Sequence, residues 1–372
     1  MASKLNDICS YAKGKTAVAG LTAQNYISTE NMLPNKGGIT TATNLPSVDQ
    51  TQAYRKNDVL VSNIRPYFKK IWHAEYDGGC SNDVLVFRAA EGVDPIFLYY
   101  VLADDTFFNY ATATSKGTKM PRGDKSAIME YGVPTLDIEV QRKIGALLRS
   151  IDQKIAINSK INDNLEQQAM ALYASMFLDN PAVETTAGTL KDIADITMGQ
   201  SPSGSSYNED GNGEVFYQGR AEFGYRFPTR RLYTTEPKRM AEAGDVLLSV
   251  RAPVGDLNVA YERCCIGRGL GAIHGRNGYQ SFVLYTMFAL RPQLDVYNGE
   301  GTVFGSINRN ALNDMPIDIP SEDAIAAFEA IVRPMDNMIR TNYEENCRLQ
   351  ELRDALLPRL MSGEVDVSDI DI

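Results

Sequence analysis

Slid 184 positions along itself, the chain matches its own sequence over a long helical stretch. Residues 151–172 and 335–356 agree at seven of 22 places: Asp152/Asp336, Ile155/Ile339, Asn158/Asn342, Asn162/Asn346, Leu165/Leu349, Ala171/Ala355 and Leu172/Leu356. Unrelated segments would share roughly one or two, so the chain is built on a long internal repeat. The repeat reaches further. LNDI at Leu5–Ile8 returns as LKDI at Leu190–Ile193, and DVLVSNIRP at Asp58–Pro66 returns as DVLLSVRAP at Asp245–Pro253. KGT at Lys116–Thr118 faces EGT at Glu300–Thr302, and Pro134 faces Pro316. The order is globule, helix, globule, helix.

Each helical copy carries a heptad: Ile144, Ile151, Asn158, Leu165, Leu172 in the first, and Phe328, Met335, Asn342, Leu349, Leu356 in the second. Leu147, Ile161 and Met176 fill intermediate positions at spacings of three and four. So narrow an apolar stripe needs a partner helix, and the nearest candidate is the repeat copy itself. A shared asparagine at one seam layer costs stability but fixes register against slipped pairings. The plainer alternative is that Asn158 and Asn342 face water. The first helix is predicted from about Glu139 to about Leu178, ended by Asn180–Pro181, and so roughly 60 Å long. The second begins near Ser321; Pro334 is expected to kink or restart it and Pro358 to close it.

Between these helices, short β-rich runs alternate with Gly, Pro, Asn and Ser clusters. DVLVSNI, NDVLVFRA and GDVLLSV read as strands; QSFVLYTMFAL reads as strand or helix. Asp94–Ala111 reads as one amphipathic helix capped by Asp94 with Pro95 in its first turn. The predicted class is α+β: two mixed α/β globules at 1–138 and 181–320, long helices at 139–180 and 321–360, and a polar, acidic tail at 361–372.

The net charge of −10 argues at first against a nucleic-acid partner, but −7 of it sits in the last 52 residues, leaving the globules nearly neutral. Basic residues then cluster. Arg220–Arg239 holds six basic against two acidic residues, interleaved with Phe223, Tyr225, Phe227 and Tyr233; Lys116–Lys125 holds four against one. Loops of this kind track phosphates, or are ordinary solvated surface. No apolar stretch approaches a membrane span, the first residues lack a signal-peptide core, and five scattered cysteines suit a reducing cytosol. A cytoplasmic protein is expected.

Several short motifs mislead. GRGLGA at Gly267–Ala272 fits a dinucleotide fingerprint, but the following IHGRNG cannot carry the helix whose N-terminus would hold the pyrophosphate. Gly14–Thr16 lacks the leading glycine of a phosphate loop. In Glu236-Pro237-Lys238 the proline disturbs the strand on which a nuclease presents such a pair. Cys264, Cys265 and His274 read as core residues rather than a metal or thiol site, since tandem cysteines face opposite sides of a strand. No motif for S-adenosylmethionine or for adenine chemistry occurs, and neither catalytic residues nor metal ligands are expected.

MGQSPSGSSYNEDGNGEVFYQGRAEFG at Met198–Gly224, followed by AGDVLLSVRAPVGDLNVA and CIGRGLGAI, resembles the specificity subunit of type I restriction–modification enzymes. DVLVSNIRPYFKKIW, GGCSNDVLVFR and LRDALLPRLMSGEV resemble the same family, so the likeness covers nearly the whole chain. It implies two target-recognition domains, each followed by a helix, with the two helices pairing as an antiparallel coiled coil. It implies a bipartite double-stranded DNA site with an unread gap, and a non-catalytic role for this chain. The partners implied are two modification subunits, which use S-adenosylmethionine to methylate adenine, and restriction subunits, which use ATP and magnesium. The first globule has SYAKGKTAVAGLTAQNYIST where the second has ITMGQSPSGSSYN, so two different half-sites are expected.

On that reading, arginine or lysine contacts guanine edges, asparagine or glutamine contacts adenine, and further cations hold phosphates. The DNA-binding candidates are Arg65, Lys69, Lys70, Lys119 and Arg122 in the first globule. In the second they are Gln200, Ser201, Ser203, Tyr217, Gln218, Arg220 and Arg251. The competing reading is a coiled-coil adaptor with two protein-binding globules and no DNA readout.

Overall fold

The computed structural model describes residues 3–299 and 305–367; Glu300–Thr302, paired above with Lys116–Thr118, lies outside them. The chain forms two compact units that cut across the linear order. The first comprises Met1–Asn158 with Glu344–Ile372, and the second Ser159–Tyr343.

In the first unit a four-stranded antiparallel sheet runs in the order Cys9–Tyr11, Val84–Ala89, Val59–Ser62, Ile71–His73. A second sheet orders Lys15–Ala17, Gln50–Tyr54, Gly78–Cys80 and Tyr26–Ile27, its last pair parallel. The segment Asp94–Ala111 is two helices rather than one, Pro95–Ala103 and Asp105–Ala113. Asp104 accepts from the Thr106 amide and caps the second, so the helical register restarts there. Both helices bury Phe97, Leu98, Phe107 and Phe108 against the sheet. Leu357, Leu360 and Val367 complete that core. The final segment is therefore more than a polar tail: its valines close the unit that the N-terminal residues begin.

The second unit repeats this plan. Its four-stranded sheet runs Ala194–Met198, Leu270–Gly275, Val246–Ser249, Leu257–Val259, again antiparallel. The other sheet, of five strands, again contains one parallel pair, Glu214–Tyr217 with Cys264–Ile266. QSFVLYTMFAL is helix Gln280–Ala289, buried nearly all round. The repeat holds bond by bond. The Asp58 carboxylate accepts from the Arg55 amide at 2.7 Å, and Asp245 accepts from the Glu242 amide at 2.8 Å. The Arg65 amide donates to Pro121 O, and the Ala252 amide to Gly305 O.

The long helices are Ile138–Tyr173, continued by a π-turn at Ala174–Leu178, and Glu322–Met361. Pro334 neither kinks nor restarts the second, and Pro358 lies inside it. Pro334 sits on the exposed side, where the Ala330 carbonyl that it leaves without a donor meets solvent. Along the seam of the first helix, positions 144, 148, 151, 155, 158, 162, 165, 169 and 172 are all buried or half-buried, spaced alternately by four and three. Leu148 is buried in the seam with Leu147 half-buried against the first unit's core, whereas Asn162 takes the place read above as Ile161, which is 39% exposed. Met176 lies in the π-turn, half-buried against the second unit's core. The second helix buries or half-buries 325, 328, 332, 335, 339, 342, 346, 349, 353 and 356.

Both helices contribute to each unit, and they run antiparallel there. In the first unit Arg353 pairs with Asp152 at 2.7 Å, and Asn158 Nδ2 donates to Glu345 at 2.7 Å and to Asn346 at 2.9 Å. In the second, Asn342 Nδ2 donates to Asn162 Oδ1 at 2.8 Å, and Asn162 Nδ2 to Ile339 O at 3.2 Å. Four asparagines, not two, occupy the seam, and each finds a partner there. Among the described residues no helix is long and apolar enough to cross a membrane.

Candidate nucleic-acid interface

In the second unit the loop after Val246–Ser249 bridges, through Arg251, to Ser306. A surface cavity of ≈ 670 Å³ opens there, lined in part by Arg251, Arg268, Arg309, Ser306 and Asn308. Among the described residues, none of Arg251, Arg268 and Arg309 is paired with a carboxylate. Three guanidiniums facing one hollow without counter-ions make a site for anions. The Ser201 hydroxyl accepts from the Arg268 amide at 3.2 Å, and the Gln200 amide donates to Ile266 O at 3.0 Å. The strand ends therefore carry Gln200 and Ser201 to the cavity's edge. Gln218 is exposed beside them, its carbonyl receiving the Gly269 amide at 3.3 Å. Ser203 is exposed and bonded to Ser205 at 2.8 Å.

Tyr217 does not belong to this surface. It is 0% exposed, and its ring packs in the core with Leu247, Cys264 and Ile266. The strand Glu214–Tyr217 is buried through its last residue, and Gln218 emerges just beyond its end. Arg220 is exposed but held by Asp256 at 2.6 Å.

The basic stretch Arg220–Arg239 is mostly neutralised internally. Arg230 pairs with Glu262, and Arg231 with Glu222 at 2.8 Å. Arg226 is 5% exposed and joins Glu166 of the first long helix, at 2.7 Å, to Asp336 of the second. Tyr285 adds a hydrogen bond to Asp336 at 3.0 Å. Burial raises the Asp336 carboxyl above the usual range, against the opposing pull of Arg226. This stretch clamps the helices; the anion-facing arginines lie elsewhere. Arg268 and Arg309 were not among the candidates, because single arginines amid glycine and asparagine carry no local signal.

The equivalent junction in the first unit joins Ile64 to Arg122, and Arg122 in turn bridges Lys116. Arg65, Arg122 and Lys116 meet there, with Lys119 exposed on the same loop. Arg122 is tied to Asp83 at 3.0 Å and Lys116 to Asp124, both cations on exposed side chains. Arg65 keeps its Nε buried and without a partner. Lys69 pairs with Asp105 at 2.8 Å, and Lys36 reaches the same carboxylate at 2.9 Å. Burial would raise Asp105, yet the two ammoniums hold it below the ordinary carboxylate range. Lys70 donates to Thr29 O at 2.6 Å, and burial lowers its pKa. Lys70 is therefore partly a loop fastener.

Decoy motifs resolve without chemistry. GRGLGA opens the strand Leu270–Gly275, and Cys264 and Cys265 are both buried. His274 bonds Asp245 at 2.6 Å rather than either thiol.

Residues 1–167 match the family described as Type I restriction modification DNA specificity domain. The chain is 27% identical over 297 residues to the "Putative type I restriction enzyme MjaX specificity subunit" of Methanocaldococcus jannaschii, covering 74% of this chain and 69% of that one. To the type I restriction enzyme HindI specificity subunit of Haemophilus influenzae it is 22% identical, over 91% of this chain and 94% of that one. The fold resembles the crystal structure of the type I restriction-modification system S subunit from M. genitalium. The TM-score is 0.62 at 15% identity, over 97% of this chain and 96% of that one.

Proposed function

We propose that this chain, which belongs to the type I restriction–modification specificity-subunit family, reads a bipartite double-stranded DNA site, one half-site per unit. The observation that carries this reading is the duplicated basic junction. Ile64–Arg122 in the first unit and Arg251–Ser306 in the second are equivalent bridges, and each gathers cations beside exposed polar side chains. Arginines without counter-ions supply phosphate contact and bidentate guanine readout; Gln200 and Gln218 suit adenine edges. Because the loops leading into the two junctions differ in sequence, the half-sites differ.

The chain itself is non-catalytic on this reading, and its long helices set the gap between half-sites. On the second helix Ala327, Ile331, Pro334 and Met338 form an exposed apolar stripe on the side away from the buried seam. Modification subunits dock on such helical surfaces and bring S-adenosylmethionine and base flipping, since methylation needs the adenine out of the stack. Restriction subunits, with ATP and magnesium, join that assembly.

The test is a gel shift of the chain with its modification subunits across a randomised duplex pool. Selection of one split sequence is the expected result. A protein-only adaptor would retain no sequence above background, and that outcome would remove the reading. Inserting whole helical turns within Glu139–Leu178 should lengthen the gap while leaving the letters of each half-site unchanged.

A further inference from the structure

We infer that Tyr67 and Phe68 form an aromatic wedge that enters a base step of the half-site bound by the first unit, so that this chain's own side chains unstack a step in only one half of the site. This rests on the DNA-reading function proposed above. The two rings are 47% and 39% exposed and pack on each other at 4.7 Å between centroids. They form a single 3₁₀ turn, Pro66–Phe68, bracketed by Arg65 and Lys69, both with φ of 50°. Left-handed backbone at two non-glycine residues is costly and persists only where the surroundings impose it.

Those surroundings are visible. The Phe68 amide donates to Arg65 O and the Lys69 amide to Pro66 O, closing the turn. A neighbouring loop then pins it: the Asn35 amide donates to Phe68 O and the Lys36 amide to Lys69 O, each at 2.8 Å. Asn35 and Lys36 are also left-handed, at 53° and 62°. The tip is thus rigid before any ligand arrives, which spares the ordering cost of binding.

The charge around it suits a polyanion. Lys36, Arg65, Lys69 and Lys70 surround the rings, with Asp105 the carboxylate that Lys36 and Lys69 share. Lys70 Nζ lies 6.0 Å from the Phe68 ring centre. Apolar side chains flanked by cations are what proteins insert between base steps, with the cations holding the flanking phosphates.

The second unit supplies the contrast. At the repeat offset of 187 its corresponding residues are Pro253, Val254, Gly255, Asp256 and Leu257. Val254 is 1% exposed in the core, and Asp256 is occupied by Arg220 and Arg291. No aromatic tip stands there, and the charge at the position of Lys69 is reversed. The same turn was elaborated into a probe in one unit and folded inward in the other.

The experiment uses the chain assembled with its modification subunits and the duplex it selects from a randomised pool. Thymines, placed one at a time along both half-sites, are probed with permanganate, which attacks unstacked thymine. The expected result is a hyperreactive step in one half-site, remote from the adenine to be methylated. It is absent with the double variant Tyr67→Ala, Phe68→Ala and retained with Tyr67→Phe, Phe68→Tyr. Affinity for the selected duplex should fall about 5- to 100-fold in the alanine variant, the range for lost base–aromatic stacking. Sequence-selective binding with no hyperreactive step, or with one that survives the alanine variant, would overturn the wedge and leave the DNA-reading function standing. Absence of any selected duplex would end both.

Discussion

Asn342 donates its side-chain amide to the Asn162 carbonyl oxygen at 2.8 Å, inside the seam of the second unit. Asn162 in turn donates to Ile339 O. Buried amides satisfied in this way are close to neutral as a pair but costly to halve. Asn162→Leu should therefore cost about 1–3 kcal/mol in urea unfolding. The double variant Asn162→Leu, Asn342→Leu should recover most of that loss while loosening register. Cysteine cross-linking along the two helices reads the register; a single cross-linking pattern in the double variant would show that the amides do not specify alignment.

Arg226 is a different kind of residue from the other arginines of its stretch. Removing it leaves Glu166 and Asp336 facing each other without their shared cation. Arg226→Met should lower stability by about 3–5 kcal/mol, measured by denaturant unfolding. Arg220→Ala breaks an exposed pair and should cost less than about 1 kcal/mol. Its effect, if it touches DNA, should appear in binding alone.

Tyr217 separates core from interface. Its hydroxyl is buried without a partner, so Tyr217→Phe removes an unsatisfied group and should leave stability equal or higher, with DNA affinity unchanged. A drop in affinity with intact folding would return Tyr217 to the reading surface.

Arg251→Ala, Arg268→Ala and Arg309→Ala should each weaken binding to the selected duplex. A phosphate-contacting arginine should weaken all sequences alike and reduce the slope of log affinity against log salt by about one. A base-contacting arginine should cost about 1–3 kcal/mol and relax one position of the site. Titration of each variant at several salt concentrations distinguishes the two.

His73 gives a pH signature. Both ring nitrogens are buried without partners. Burial first, then Arg149, lowers its pKa from 6.5 to about 4, with Asp94 and Asp58 opposing. The unfolded chain therefore takes up this proton at a higher pH than the folded one. Stability from this group is complete above pH 6.5 and is lost as pH falls towards 4. His73→Phe should flatten that part of the stability–pH curve, measured by urea unfolding between pH 4 and 7.

The repeat made the architecture readable. A match at one offset places the helices, pairs the strands Val59–Ser62 and Val246–Ser249, and predicts two like units. Seam chemistry was only half readable. Apolar Ile161 competes with Asn162 for the stripe, and only the partner's Asn342 makes the amide the better occupant. The split at Asp104 is hard to read because Asp104-Asp105-Thr106 passes for the polar face of one amphipathic helix, with no Gly or Pro to mark the break. The site was least readable, since whether an arginine is free depends on acids distant in sequence. Arg220–Arg239 looks rich in available charge, yet Glu166, Glu222, Asp256, Glu262 and Asp336 pair with four of its six basic residues.

The first unit draws on both termini, with Leu5 and Val367 in one core, whereas the second is a single uninterrupted stretch. On the ribosome the two must mature in the reverse of their chain order. The lobe begun first waits, with Phe87 and Phe97 lacking their final neighbours, until translation delivers the last helix turns. The later lobe can close as soon as Tyr343 has left the exit tunnel. Premature termination just after that point would release a finished second half joined to an open first one, a natural client for chaperones.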